Sequence, residues 1–143
     1  SKMTVAMKRP LIPTTGTPFS YTVEFPATLA GIDDTTSVIT SSNFTFNSKT
    51  CSIKNRLNST TLEIVSQDGT VEIDNIGSYN SVNGTINLVG FNPTAFVGSA
   101  IDFIAVPANQ STIRPLRNFV LNIDTGTSVS NAILDYQNTA VTL

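Results

Sequence analysis

The strongest constraint on this chain is an alternation of period two. In "FSYTVEF", residues 19–25, Phe19, Tyr21, Val23 and Phe25 fall on one side while Ser20, Thr22 and Glu24 fall on the other, the pattern of a strand with one buried face. "NFTFN" repeats it with Phe44 and Phe46, and "TLEIV" repeats it with Leu62 and Ile64. Successive strand side chains point to opposite faces, so this spacing gives a sheet one dry and one wet surface and suits no helix stripe. "VEIDNIGSY", "TINLVGF", "IDFIAV" and "RNFVLNI" continue the series, and "TVAMKR" near the start is a further candidate.

The turn chemistry agrees. "SQDGT" sets Asp68 and Gly69 between Val65 and Val71, and "VNGT" sets Asn83 and Gly84 before Ile86. Both dipeptides supply the positive φ angles of a tight hairpin, so two hairpins are predicted. "GFNPT" and "LIPTTGTP" read as turns or extended links, because Pro10, Pro13 and Pro18 forbid a regular central strand. One helical candidate exists, "SVSNAILDYQN", with Ser128 or Ser130 as N-cap and Ile133, Leu134 and Tyr136 as its apolar residues. So short a run is marginal without packing, so one short helix or an irregular tail is expected there.

The fold expected is therefore all-β: an antiparallel, β-sandwich-like domain with at most one short C-terminal helix. Residues 1–18 read as a linker, or as an edge strand from a preceding segment, and residues 19–143 as the domain itself. A chain of 143 residues fits one such domain, or two very small ones, and at this size folding buries roughly 70% of the unfolded surface. With 40% hydrophobic and only 13% charged residues it matches neither a charge-extended disordered segment nor a coiled coil. Ser, Thr and Asn stand where charge is missing, and they suit pleated surfaces and turns.

A net charge of −2 carries no electrostatic footprint for nucleic acid, and no such partner is expected. No run approaches the roughly 20 apolar residues of a membrane span, and no signal peptide is visible, so no membrane partner is expected either. The chain begins "SKM", which leads us to expect a processed product or a fragment of something longer.

Catalytic constellations are hard to assemble from these residues. Zinc sites need Cys or His ligands, and the chain has one Cys and no His, which excludes structural zinc from a single chain. Cys51, in "TCSIKNRL", alternates only loosely with Ile53 and Leu57 and reads as a small buried hydrophobe, with no imidazole to activate it as a thiol. Asp33 and Asp34 are adjacent, which suits a solvated turn. Glu72 and Asp74 share a strand face at i and i+2; they suit Ca²⁺ or an acid–base pair, and equally an ordinary polar face. Ser48 beside Lys49 reads as a turn. N-glycosylation acceptor triplets occur at Asn43, Asn58, Asn83 and Asn109, as chance produces in a chain rich in Asn, Ser and Thr. No enzyme activity, no metal and no cofactor are expected.

"GSYNSVNGTINLVGF" followed by "IDFIAVPANQSTIRPLRNFVLNID" resembles the C-terminal region of the baseplate wedge protein, the sixth gene product, of T-even-type contractile-tailed bacteriophages, in the form found in phages of marine cyanobacteria. The likeness covers about residues 75–124, roughly a third of the chain, and "PANQSTIRPLRN" is its most specific part. The resemblance implies a virion structural protein of the tail baseplate, assembled in the host cytoplasm, whose C-terminal regions pair. The partners implied are a second copy, as a homodimer, and other baseplate wedge proteins. Pro107, Asn109, Gln110, Arg114, Pro115 and Arg117 are then the candidate interface: the prolines restrict the loop before docking and the guanidiniums offer planar donors to a neighbour. Equally open is that Arg114 and Arg117 tie the loop to its own sheet through Asp102 or Asp124. A rival class is an adhesin-type β-sandwich of phage or bacterial origin that binds carbohydrate or a receptor.

Overall fold

The computed structural model describes residues 3–109 and, further on, the short strands Ala132–Ile133 and Asp135–Tyr136. The chain divides into two units, Ser1–Gln110 and Ser111–Leu143. In the first, ten strands form one sheet: β1 (Val5–Ala6), β2 (Phe19–Glu24), β3 (Ile39–Ser41), β4 (Phe44–Phe46), β5 (Lys49–Asn55), β6 (Thr61–Ser66), β7 (Val71–Asn80), β8 (Thr85–Phe91), β9 (Ala95–Phe96) and β10 (Phe103–Ala105). In the second, β11 (Ala132–Ile133) and β12 (Asp135–Tyr136) form a two-stranded ladder. These four residues are strand; the rest of the helical candidate lies outside the described residues, as does "RNFVLNI".

The sheet runs β1-β10-β3-β5-β6-β7-β8-β2, with β4 pairing β5 and β9, and all its pairs are antiparallel. The fold is thus all-β and antiparallel, and no helix occurs among the described residues. The sheet curls until its ends meet, where the Lys8 N–H donates to the Glu24 carbonyl at 2.8 Å. One core fills the inside. Ile53, Ile64, Ile86, Leu88, Phe91 and Phe103 are almost wholly buried, each contributing about 1.5–3 kcal/mol of burial free energy. Phe91 is the hub of the aromatic packing, edge-on to Phe44 with centroids 5.1 Å apart and to Tyr21 at 6.4 Å.

Alternation explains most of the strands, and its lapses are local. Val23 in β2 and Phe25 just after it are buried as expected, but Phe19 is 49% exposed because a register shift against β8 falls between Phe19 and Tyr21. β5 was not legible as a strand, yet it is central, with Cys51, Ile53 and Asn55 all pointing inward. Leu57, the residue whose spacing obscured it, lies beyond the strand and is 47% exposed. Both predicted hairpins form, but each loop has four residues and only its glycine has positive φ: Gly69 at 91° and Gly84 at 69°. The two-residue turn with two positive φ angles is instead Asn47–Ser48, at 52° and 63°, between β4 and β5.

Pairing between β3 and β5 is thin, registered at Thr40 and Lys54. Side chains supply the missing rungs. Asn55, 1% exposed, accepts the Val38 and Ile39 N–H groups on Oδ1 at 2.6 and 2.9 Å and donates through Nδ2 to the carbonyls of Arg56 and Ser59 at 3.2 and 3.0 Å. Ser41 Oγ accepts the Ile53 N–H at 2.8 Å and donates to the Ser42 carbonyl. A buried asparagine with both ends of its amide fully used replaces backbone partners that the strand geometry does not bring into reach.

Residues 3–18 meet the sheet at several points. β1 pairs with β10 at the sheet's end, Leu11 bridges Ile101 and is buried, and the Gly16 N–H reaches the Pro93 carbonyl at 3.1 Å.

Candidate functional site

The stretch singled out by the sequence begins on a fixed point. Pro107 is buried and bridges Leu29; on either side of it the Ala30 N–H donates to the Val106 carbonyl at 2.8 Å and the Ala108 N–H to the Thr28 carbonyl at 2.9 Å. The Val106 N–H is held in turn by the Val38 carbonyl at 3.0 Å. Asn109 is exposed immediately after this anchor. Gln110, Arg114, Pro115 and Arg117 lie outside the described residues, as does Asp124. Asp102 is exposed beside β10, its backbone bonded in both directions to Ser42: it accepts the Ser42 N–H at 2.7 Å and its own N–H donates to Ser42 Oγ at 2.9 Å.

The carboxylates weighed as chemistry have local duties. Asp33 Oδ1 accepts both the N–H and the hydroxyl of Thr35 at 2.8 Å, while its carbonyl accepts the Asn58 N–H at 2.9 Å, so the turn is tied to the loop after β5. Glu72 binds Lys49 Nζ at 2.8 Å and Asn47 Nδ2 at 3.3 Å, strapping the β4–β5 turn to β7. The hydrogen bond from Lys49 holds the Glu72 carboxyl below its ordinary range, and the same bond raises the Lys49 ammonium. No bond joins Glu72 to Asp74; the Asp74 carbonyl instead accepts Arg56 Nη2 at 2.6 Å. Arg56 Nε also donates to Glu63 at 2.9 Å, so this guanidinium ties β5 and β6 to the irregular part of β7, where the register with β6 shifts. Around it lies a shallow depression of 460 Å³ on the outer face, lined among others by Thr36, Lys54, Leu57 and Val71. Cys51 is fully buried, and burial pushes its thiol up, away from the thiolate form a nucleophile needs.

Among the described residues Asp68 is the most perturbed acid. The Ser66 hydroxyl and the Thr70 N–H both donate to it, the latter at 3.0 Å, and they lower its carboxyl from 3.8 to about 2. The folded-state value lies below the ordinary one, so the ionised turn contributes stability that is fully present above about pH 4 and is lost as the pH falls through about 2. Urea midpoints measured between pH 5 and pH 2 are expected to fall less steeply in Asp68→Asn than in the parent chain.

Two features escaped the sequence reading. Asn55 looked like one more polar residue, and nothing but its central place in an unrecognised strand marks it. Lys8 and Arg9 lay in a stretch read as linker or edge strand; there they border a cleft of 310 Å³ that Pro10, Leu11, Thr22, Val23 and Glu24 complete. Among the described residues no group of His, Cys, Asp or Glu is clustered as metal ligands are.

Fold and side chains together define a class, an antiparallel all-β domain with one curled sheet around one core. Compared with protein-family models, with curated proteins and with solved structures, the chain matches none.

Proposed function

We propose that this chain is a structural module of a contractile phage tail baseplate, of the wedge type, whose work is subunit–subunit assembly in the virion, pairing with a second copy of itself and with other wedge proteins. The reading rests on the resemblance of residues 75–124, a span that includes the β7–β8 hairpin and β10. The observation that carries it furthest is the anchor at Pro107. "PANQSTIRPLRN" opens on a buried proline held by backbone bonds on both sides, so the residues that follow start from a fixed base. A contact loop with a rigid root loses less conformational entropy on docking than one rooted in a mobile segment.

Sedimentation equilibrium over a hundredfold concentration range, on the parent chain and on Arg117→Glu, tests this. The parent is expected to dimerise reversibly, and the variant to be monomeric with an unchanged melting temperature. A lower melting temperature with association intact would assign Arg117 to its own sheet. A monomeric parent would remove self-pairing from the reading.

A further inference from the structure

We infer that the cleft between residues 8–11 and β2 is a binding site for a small acidic sugar, a single hexuronate residue. The proposal concerns a different surface from residues 107–118 and stands whether or not that stretch self-associates.

The cleft is bounded along its length. One end is closed by the bond from the Lys8 N–H to the Glu24 carbonyl at 2.8 Å, and the other by residues 12–18, which join Leu11 to β2. Its volume of 310 Å³ lies at the small end of the range for ligand sites, about 300–1,000 Å³, which limits an occupant to a small molecule. Leu11 and Val23, both buried, close it on the core side, while its polar lining residues are exposed.

The direction of the β2 backbone fixes which groups face the cleft. In an antiparallel ladder the N–H and C=O of one residue point to one side of the strand and those of the next residue to the other. The Phe25 N–H donates to the Gly84 carbonyl at 2.8 Å, on the β8 side, whereas the Glu24 carbonyl receives Lys8. Tyr21, Val23 and Phe25 therefore serve β8, and Thr22 and Glu24 face the cleft. In the same register the residue two on from Lys8, Pro10, comes opposite Thr22, and a proline has no N–H with which to continue the ladder. The Thr22 N–H and C=O and the Glu24 N–H have no hydrogen-bond partner among the described residues.

A row of donor, acceptor and donor calls for groups that do both. Hydroxyls donate and accept, and a sugar ring sets several side by side at fixed spacing. A bare anion suits the row less well, because it meets the Thr22 carbonyl as well as the two N–H groups.

Charge selects among sugars. Lys8, Arg9 and Glu24 line the cleft, all three exposed, so two cations face one anion. Neither Lys8 nor Arg9 has an ion-pair partner among the described residues. One carboxylate brings the site to neutrality, and the Arg9 guanidinium offers it a planar pair of donors. A neutral hexose leaves the excess positive charge in place.

The probe is methyl glucuronoside, titrated against the full chain by amide NMR, with methyl glucoside and acetate as comparisons. Saturable shifts are expected at the Thr22 and Glu24 amides, with a Kd in the millimolar range that rises about fivefold in Lys8→Gln/Arg9→Gln, the combined loss of two exposed charge pairs. Pro10→Ala is expected to bind more weakly as well, since it supplies an N–H opposite the Thr22 carbonyl that competes with the ligand. Parent-like affinity in both variants overturns the proposal. So does equal binding of methyl glucoside, which would leave the cations without a role, or equal binding of acetate, which would leave the ring without one. Absence of saturable shifts at these two amides at millimolar glucuronoside overturns it too.

Discussion

Asn55→Ala is expected to lower the free energy of unfolding by about 4 kcal/mol, large for one side chain. The substitution removes four hydrogen bonds at once. It leaves the Val38 and Ile39 N–H groups without their acceptor in a region where the asparagine is 1% exposed. Each buried group so orphaned costs about 1–3 kcal/mol, and a water in the vacated space recovers part of it. Asn55→Asp separates the two halves of the amide. The aspartate keeps an acceptor for the two N–H groups but turns a charged oxygen toward the carbonyls of Arg56 and Ser59, so this variant is expected to gain stability relative to the parent as the pH falls and the carboxyl protonates. Urea unfolding of both variants at pH 7 and pH 4 measures this; a loss below 1 kcal/mol in Asn55→Ala would mean that β3 is held by its neighbours without these rungs.

Gly77→Ala is expected to cost at least as much, and to prevent folding if the sheet cannot shift. Gly77 sits within β7 at φ 146°, paired with Leu62 on one side and Leu88 on the other. A Cβ built there lies 1.9 Å from the Asn87 carbonyl oxygen, a backbone atom fixed in β8. Strain in φ alone accounts for about 1–3 kcal/mol, and relieving the clash means separating β7 from β8 in the middle of the sheet. Gly69→Ala is the control: φ is positive there too, at 91°, but the added carbon meets nothing within 4 Å, so only the strain remains, about 1 kcal/mol. Comparable urea midpoints for the two variants would count against the steric argument.

The strands that could be read from sequence are those whose inward positions are all apolar. β2 and β8 follow that rule and β6 follows it at its first two inward positions, before the buried Ser66 closes the strand, so Val23, Leu62, Ile64, Ile86 and Leu88 are buried accordingly. β5 breaks it, because its third inward position is Asn55, and a polar residue in an apolar series looks like the end of a strand. β3 and β9 carry a single large apolar residue each, Ile39 and Phe96, so no alternation shows in them, whereas β4, as short as β3, was marked by its pair Phe44 and Phe46. The Asp-Gly and Asn-Gly dipeptides marked the right corners but not the loop lengths, since a four-residue loop needs one left-handed residue where a two-residue loop needs two. On the functional side, the sequence drew attention to Pro107, and the anchor there rests on its bridge to Leu29, 78 residues earlier, which no local pattern announces. The cleft beside Lys8 and Arg9 was invisible for a different reason: it depends on β2 and β1, just before these residues, standing at opposite ends of the strand order, and strand order cannot be read from alternation.

The pairing of β1 with β10 has a mechanical consequence. Val5 faces Ala105 and Ala6 faces Ile104, so residues 3 and 109 leave this ladder from the same end. Tension applied between those two points peels the rungs one after another and does not shear them together, so the first event under load is release of the leading residues at low force. The Leu29–Pro107 bridge lies on the same line of force and resists separately. Residues 49–91, β5 to β8, lie off that load path, which makes the body of the sheet a passenger that stays folded while its first strand is drawn off.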